Sequence, residues 1–100
     1  YIGLSTGMNS LIRPSLYGSY HKVHNISKIN KVRDKVYNLV GPICESGDII
    51  ASNRLLPETE ENDIIIIENC GAYGHTMSSN YNMRESASEL ILSSLIRKKI

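Results

Sequence analysis

The sequence contains no tryptophan and no phenylalanine, so all six of its aromatic residues are tyrosines. Each ring therefore carries a hydroxyl group that needs a hydrogen-bond partner when it is buried. Cysteine is also scarce: only Cys44 and Cys70 occur, which is too few for a disulfide scaffold. Their spacing fits no common zinc pattern, so we predict no metal site. This cysteine usage favours a reducing, cytoplasmic setting.

Long hydrophobic runs and an excess of one charge are missing as well. No stretch approaches the roughly 18 apolar residues of a transmembrane helix, and no signal peptide is recognisable, so we expect no membrane partner. Eleven Lys and Arg face ten Asp and Glu, which gives a formal charge of +1. This near-neutral balance gives no reason to expect a nucleic-acid partner. Without an initiator Met, the sequence is expected to be cut from a longer protein.

The residues that are present have the composition of one small globular domain, with 41% hydrophobic and 21% charged residues in a chain of 100. Short apolar segments between polar loops predict a mostly β fold with four or five strands. Residues 35–40 alternate and are rich in β-forming side chains, while residues 49–51 form a short segment that could pair. Four consecutive isoleucines, residues 64–67, predict a strand buried on both faces.

The remaining segments predict weaker elements. Pro14 favours a turn or the first turn of a short helix. We expect weak strand character in residues 21–26, surface loops in 25–35 and 53–62, irregular or briefly helical structure in 75–85, strand or helix in 87–92, and a fraying end in 95–100.

Two loops carry residues suited to chemistry. Arg13 and Tyr17, four residues apart, share a face if their turn is helical, and Arg offers a planar fork for a carboxylate or phosphate. Spacing alone favours a surface Arg beside a core Tyr. Carboxylates next to Cys44 disfavour its thiolate, which makes the thiol a plausible proton donor, and Glu45 could bind an ammonium group. Composition alone favours an ordinary Ser-Gly-Asp turn here.

A third loop places Tyr73 between two glycines, which would let the backbone approach a phosphate or a ring-shaped ligand. Glycine-rich strand ends are common, so this signal is weak by itself. The histidines indicate no site: His21 and His24 would lie on opposite faces of a strand and are interpreted as surface residues, and His75 has no obvious partner.

Four motifs follow one another along the chain. They are Thr6-Gly7-Met8-Asn9; Leu11-Ile12-Arg13-Pro14 with Tyr17; Gly41-Pro42-Ile43-Cys44-Glu45-Ser46-Gly47-Asp48; and Gly71-Ala72-Tyr73-Gly74 with Met77-Ser78-Ser79-Asn80-Tyr81-Asn82. In this order and at these intervals they resemble the C-terminal part of the diaminopimelate decarboxylases, which are pyridoxal-phosphate enzymes of the alanine-racemase fold type. The resemblance spans residues 3–92.

The resemblance implies a two-domain parent, with an N-terminal (β/α)8 barrel and a C-terminal β-barrel or sheet domain. Residues 1–100 are then most of the β-domain, the barrel is absent, and the piece is inactive alone. Pyridoxal 5′-phosphate would be bound covalently by a lysine outside these residues, since no lysine here lies in the family's cofactor-lysine context.

The resemblance also implies roles for five residues. Arg13 and Tyr17 would hold a substrate carboxylate, and Glu45 would bind the distal ammonium of the substrate. Cys44 would act across a homodimer interface and protonate the carbon that has lost CO2. Tyr73 would contact the cofactor phosphate and the substrate. The implied reaction converts meso-2,6-diaminopimelate to lysine and CO2.

Three alternatives remain. A sister decarboxylase for ornithine or arginine would usually have Asp after the Cys and would lack the Arg-Pro-x-x-Tyr run. A non-catalytic regulator would have had no need to keep Cys44, Glu45, Arg13 and Tyr73 together. A plain β interaction module leaves the ordered motifs unexplained. The sequence leaves open whether the parent is fused to an aspartate kinase.

Overall fold

A computed structural model of the chain describes residues 1–91, which form five short strands and one short α-helix. The mostly β fold is therefore confirmed. The elements are β1 (Ile2–Gly3), α1 (Arg13–Tyr17), β2 (Val23–Asn25), β3 (Lys35–Val40), β4 (Ile49–Leu56) and β5 (Ile65–Ile67), with 3-10 turns at Ile26–Lys28 and Tyr81–Met83. None of the described helices is long and apolar enough to cross a membrane.

The strands form two sheets. In the first, with order β1-β3-β4, β1 runs parallel to β3 and β4 runs antiparallel to it. In the second, β2 and β5 are antiparallel, with Val23 opposite Ile67. The described strands do not close into a barrel, so they correspond to the partial sheet of the expected domain.

The core lies between the two sheets and is small. Leu39 of β3 and Leu56 of β4 are fully buried, and the other members of the cluster are Leu11, Val23, Ile50 and Ala51. Tyr37 packs against this cluster, and its hydroxyl accepts a hydrogen bond from the Thr59 backbone N–H at 3.0 Å. Burying the tyrosine ring therefore leaves its polar end satisfied.

The predicted surface loop at residues 53–62 is wrong in its first part, because β4 continues to Leu56. Lys35 pairs with Leu56 in the antiparallel ladder, and Leu56 is fully buried. Asn53 adopts a positive φ of 52° and donates its backbone N–H to the Asn38 side chain at 2.8 Å. Pairing and burial of Leu56 thus outweigh the polar composition of this stretch.

The isoleucine run forms a strand as predicted, but its burial on both faces is wrong. Ile65 and Ile67 pack against the core, whereas Ile64 and Ile66 are 58% and 44% exposed. The cause is the two-stranded antiparallel sheet, which has one face on the core and the other toward solvent, so successive side chains alternate.

The interpretation of His21 as a surface residue is also wrong, since only 6% of it is exposed. Its Nδ1 lies 3.0 Å from the Glu68 carbonyl oxygen, and His24 Nε2 lies 2.5 Å from the Glu68 carboxylate. Pairing of β2 with β5 brings Glu68 to both histidines. His75 has an acidic neighbour, because its Nδ1 lies 3.8 Å from the Glu89 carboxylate.

Residues 87–91 form neither the strand nor the helix that the sequence predicted. Leu92 and the predicted fraying end at residues 95–100 lie outside the described residues.

Candidate active site

Helix α1 carries the first two predicted site residues. Pro14 in its first turn presets the backbone, and Gly18, with a left-handed φ of 67°, ends it by donating its N–H to the Pro14 carbonyl at 3.0 Å. One helical turn therefore separates Arg13 from Tyr17, and the Arg13 Cζ lies 5.3 Å from the Tyr17 ring centre. Tyr17 is 61% exposed, so the alternative of a core tyrosine is wrong.

Tyr73, which is distant in the sequence, lies next to the same guanidinium. Its φ of 65° is left-handed, in a turn that Met77 closes by donating its N–H to the Tyr73 carbonyl at 3.2 Å. Gly74 is needed beside it, because a Cβ there would overlap the Cys70 carbonyl oxygen. The Arg13 Cζ lies 5.2 Å from the Tyr73 ring centre. Arg13 thus contacts two exposed tyrosine rings.

Cys44 and Glu45 lie in a separate, exposed loop between β3 and β4. The loop is closed by its own backbone, because Gly41 donates its N–H to the Asp48 carbonyl and Asp48 donates its N–H to the Glu45 carbonyl, both at 3.0 Å. Within residues 1–91, no hydrogen bond or ion pair joins Cys44 or Glu45 to the Arg13 cluster. Both side chains are exposed to solvent.

Sequence reasoning placed Asp48 in the third motif but assigned it no role. It is 3% exposed, and its carboxylate accepts hydrogen bonds from the backbone N–H groups of Met8 at 2.7 Å and Ile43 at 2.9 Å. A Cβ added at Gly7 or Gly41 would overlap this carboxylate. The signal in the sequence was Gly7 in the first motif and Gly41 in the third. Their close contact with Asp48, which forms across the fold, explains why glycine stands at both positions.

The last motif packs against the first. Ser79 donates its backbone N–H to the Asn9 carbonyl at 2.8 Å, and Arg84 donates to the Ser5 carbonyl at 3.3 Å. Asn9 is itself buried, and its side-chain oxygen accepts from the Gly7 backbone N–H at 3.3 Å. All four sequence motifs therefore meet around residues 5–9.

The donor set of the Arg13 cluster suits an anion. A guanidinium offers a planar fork of N–H donors, and each phenol adds one hydroxyl donor. This combination fits a carboxylate or a phosphate group. The described residues contain no group of three or more His, Cys, Asp or Glu side chains that could hold a metal ion.

The second cysteine differs from the first. Cys70 is half-buried, and its Sγ lies 3.4 Å from the Ile67 carbonyl oxygen. Burial raises the pKa of the Cys70 thiol, so this side chain stays protonated at neutral pH. Cys44 is the exposed thiol of the two.

Comparison with known families gives a match to the profile described as pyridoxal-dependent decarboxylase, C-terminal sheet domain, over residues 1–71. The chain is similar to the diaminopimelate decarboxylase of Archaeoglobus fulgidus, with 46% identity over 93 residues that cover 93% of the chain and 22% of the relative. It is also similar to the diaminopimelate decarboxylase of Campylobacter jejuni, with 48% identity over 92 residues and 92% and 22% coverage. The chain thus spans about a fifth of the length of these curated relatives.

Solved structures show the same likeness. A diaminopimelate decarboxylase from M. jannaschii in complex with L-lysine aligns with a TM-score of 0.75 and 36% identity, covering 84% of the chain and 19% of that structure. One from Helicobacter pylori, the I148L mutant complexed with L-lysine, aligns with a TM-score of 0.75 and 35% identity, covering 97% and 27%.

Proposed function

We propose that this chain supplies the C-terminal sheet domain of a diaminopimelate decarboxylase, because it belongs to the pyridoxal-dependent decarboxylase family and matches that domain of the family over residues 1–71. The reaction would release CO2 from meso-2,6-diaminopimelate and leave lysine. Residues 1–100 would form one β-domain, and a barrel domain would come from chain outside these residues. A cytoplasmic location stays a prediction from the cysteine usage.

The observation that carries the proposal is the Arg13 cluster. Its guanidinium and two tyrosines come from separate motifs, yet they meet on an exposed face. Diaminopimelate has a second carboxylate at its distal end, whereas ornithine and arginine have none there. Arg13 and Tyr17 would hold this distal carboxylate. The Arg13 guanidinium would then have an anionic partner that ornithine and arginine do not offer.

Glu45 and Cys44 would act on the other groups of the substrate. The exposed Glu45 carboxylate would bind the distal ammonium. The Cys44 thiol would give its proton to the substrate carbon that has lost CO2, which completes lysine. Since neither side chain contacts the Arg13 cluster within the described residues, we propose that Cys44 and Glu45 serve the site of a partner subunit in a homodimer.

Tyr73 would contact the cofactor's phosphate and the substrate, since its side chain is exposed and its hydroxyl group can donate a hydrogen bond. Pyridoxal phosphate supplies an electron sink for the bond that breaks as CO2 leaves. We assign its covalent attachment to a lysine outside these residues. Lys28 in particular is engaged by Asp63 and Glu60, at 2.8 Å from each.

A chimeric enzyme tests the proposal. The matching segment of the Archaeoglobus fulgidus decarboxylase is replaced by this chain, and CO2 and lysine formed from diaminopimelate are measured, with the unaltered enzyme as control. We expect kcat/KM within roughly tenfold of the control. Ornithine and arginine are offered as competing substrates. A folded, cofactor-loaded chimera that decarboxylates ornithine and spares diaminopimelate would overturn the proposal.

A further inference from the structure

Asp48 is a buried carboxylate that none of the proposed chemical steps uses. Its two oxygens divide between two parts of the chain: Oδ1 accepts from the Met8 N–H at 2.7 Å, and Oδ2 accepts from the Ile43 N–H at 2.9 Å. One carboxylate therefore joins the first motif to the loop that carries Cys44 and Glu45. Hydrogen bonds to a charged acceptor are stronger than those between neutral groups.

The two glycines around this carboxylate make room for it. Neither Gly7 nor Gly41 has a positive φ, so backbone conformation does not require glycine at either position. A Cβ at Gly7 would meet only Asp48 side-chain atoms as its three nearest neighbours, whereas one at Gly41 would also meet the Gly7 backbone. The space that the missing side chains leave is occupied by the Asp48 carboxylate.

The backbone of Asp48 fixes the same loop a second time. Its carbonyl accepts from Gly41 and its N–H donates to Glu45, both at 3.0 Å. Cys44 and Glu45 lie between these anchored points, and they are exposed. Their position relative to the rest of the domain therefore depends on how the loop backbone is held.

The segment around Met8, which the Asp48 carboxylate contacts, leads into helix α1. Gly7, next to Met8, accepts hydrogen bonds from the backbone N–H groups of Ser10 at 3.0 Å and Leu11 at 3.1 Å, immediately before the helix that carries Arg13. We propose that Asp48 is a positioning residue that holds the Cys44–Glu45 loop in register with the segment leading to Arg13. We call the hydrogen bonds of the Asp48 carboxylate to Met8 and Ile43 the anchor. The anchor rests on geometry alone, while its consequence for catalysis rests on the proposed function.

Amide hydrogen exchange in the 100-residue chain tests the anchor without any activity. In Asp48→Ala, the Met8 and Ile43 amides should exchange on the order of tenfold to a hundredfold faster. The Asp48→Asn variant keeps one acceptor oxygen and turns an NH2 group toward the other N–H, so it should protect at most one of the two amides. The Leu39 amide in β3 is the reference. Unchanged protection of Met8 and Ile43 in Asp48→Ala would overturn the anchor.

A double-mutant cycle separates the contact from a general loss of fold. Gly7→Ala should displace the carboxylate and speed exchange of both amides. In an Asp48→Ala background the same substitution should have little further effect, because its three nearest atoms have gone. Purely additive effects of the two substitutions would contradict a direct contact.

The chimeric decarboxylase tests the consequence for catalysis. A displaced thiol should lower the lysine formed per CO2 released, because a proton that goes to the cofactor instead of the substrate carbon would leave the amino group on the cofactor, and water would then release an aldehyde in place of lysine. A merely structural defect would lower both products equally. Asp48→Ala should therefore lower this ratio in the same direction as Cys44→Ala. If Cys44→Ala lowers the ratio and Asp48→Ala does not, the positioning role is refuted while the proposed function stands. A folded, cofactor-loaded chimera without activity on diaminopimelate would refute the proposed function, and amide exchange would still decide the anchor.

Discussion

The guanidinium carbon of Arg13 lies 5.2 Å from the centre of the Tyr73 ring, although the two residues are far apart in the sequence. The first belongs to a one-turn helix and the second to a glycine-flanked turn. Neither local structure requires the other. Their meeting is a property of the fold, and it places a cation between two hydroxyl-bearing rings on the surface.

Removing this cation should reveal which substrate group it binds. In the chimeric decarboxylase, Arg13→Ala should lower kcat/KM for diaminopimelate on the order of tenfold to a hundredfold, since a hydrogen bond to a charged group contributes roughly 1.5–3 kcal/mol. A substrate analogue that keeps the reacting amino-acid centre but lacks the distal carboxylate should lose much less in kcat/KM. Arg33→Ala, at an exposed arginine outside the cluster, is the matched control. Equal losses on both substrates would show that Arg13 is structural.

Proton delivery by Cys44 across a subunit boundary predicts complementation. One chimera carries Cys44→Ala, and the other has its cofactor lysine in the barrel replaced by Ala. Each should form little lysine alone. After random subunit exchange, half of the dimers are mixed and each has one complete site, so roughly a quarter of full activity should return. Mixing without recovery would mean that Cys44 acts within its own chain or does not donate the proton.

The 100-residue chain alone should not hold the cofactor tightly. The Arg13 cluster offers donors for a phosphate, but Lys28 is bound by two acids and the other lysines lie outside the family's cofactor context. Titration with pyridoxal phosphate should give no stoichiometric absorbance band that survives dialysis. The cofactor-loaded chimera provides the positive control. A stable band from the isolated chain would contradict the assignment of the lysine to another domain.

Asp63 predicts a specific acid sensitivity. Hydrogen bonds from Lys28 and then Asn25 lower the pKa of the Asp63 carboxyl from 3.8 to about 2. Because this pKa is lower in the folded state, the stabilisation is fully present above pH 3.8 and is lost as the pH falls toward 2. Asp63→Asn should flatten the fall of the unfolding midpoint across this window. Carbon-detected NMR titration of Asp63 gives the pKa directly.

A control for this titration is available in the same loop. Glu61 is exposed, and no hydrogen bond or ion pair of its side chain is found among residues 1–91. Glu61→Gln should leave the acid profile of the domain unchanged. If it flattens the profile as much as Asp63→Asn does, the sensitivity comes from the overall charge and not from the contact with Lys28.

Local sequence patterns predicted those strands in which a β-forming composition coincides with burial against the core. Residues 35–40 form β3 as expected, and a strand forms within the isoleucine run. Composition failed to predict structure where contacts with residues distant in the sequence decide it. β4 extends through Asn53 and Arg54 because β3 pairs with it. His21 is buried where its ring meets the Glu68 carbonyl and Cys70, just after β5.

The candidate site shows the same division. Spacing placed Arg13 and Tyr17 on one face of a helical turn, and the structure confirms it. Neither spacing nor composition could bring Tyr73 to Arg13, or Asp48 to Gly7, because these contacts form across the fold. The roles of the five residues came from the ordered motifs and stay predictions.

The parallel pairing of β1 with β3 has a consequence for how the domain folds. Ile2 lies opposite Leu39 in the same strand direction, so the whole chain between them must cross over before β1 and β3 can pair with each other. The β1–β3 pairing closes a long loop and raises the contact order of the domain. The entropic cost of closing this loop has to be met before the contacts between β1 and β3 can stabilise the fold. The β3–β4 hairpin closes a shorter loop. We therefore expect β1 to dock late in folding, onto a hairpin that has already formed.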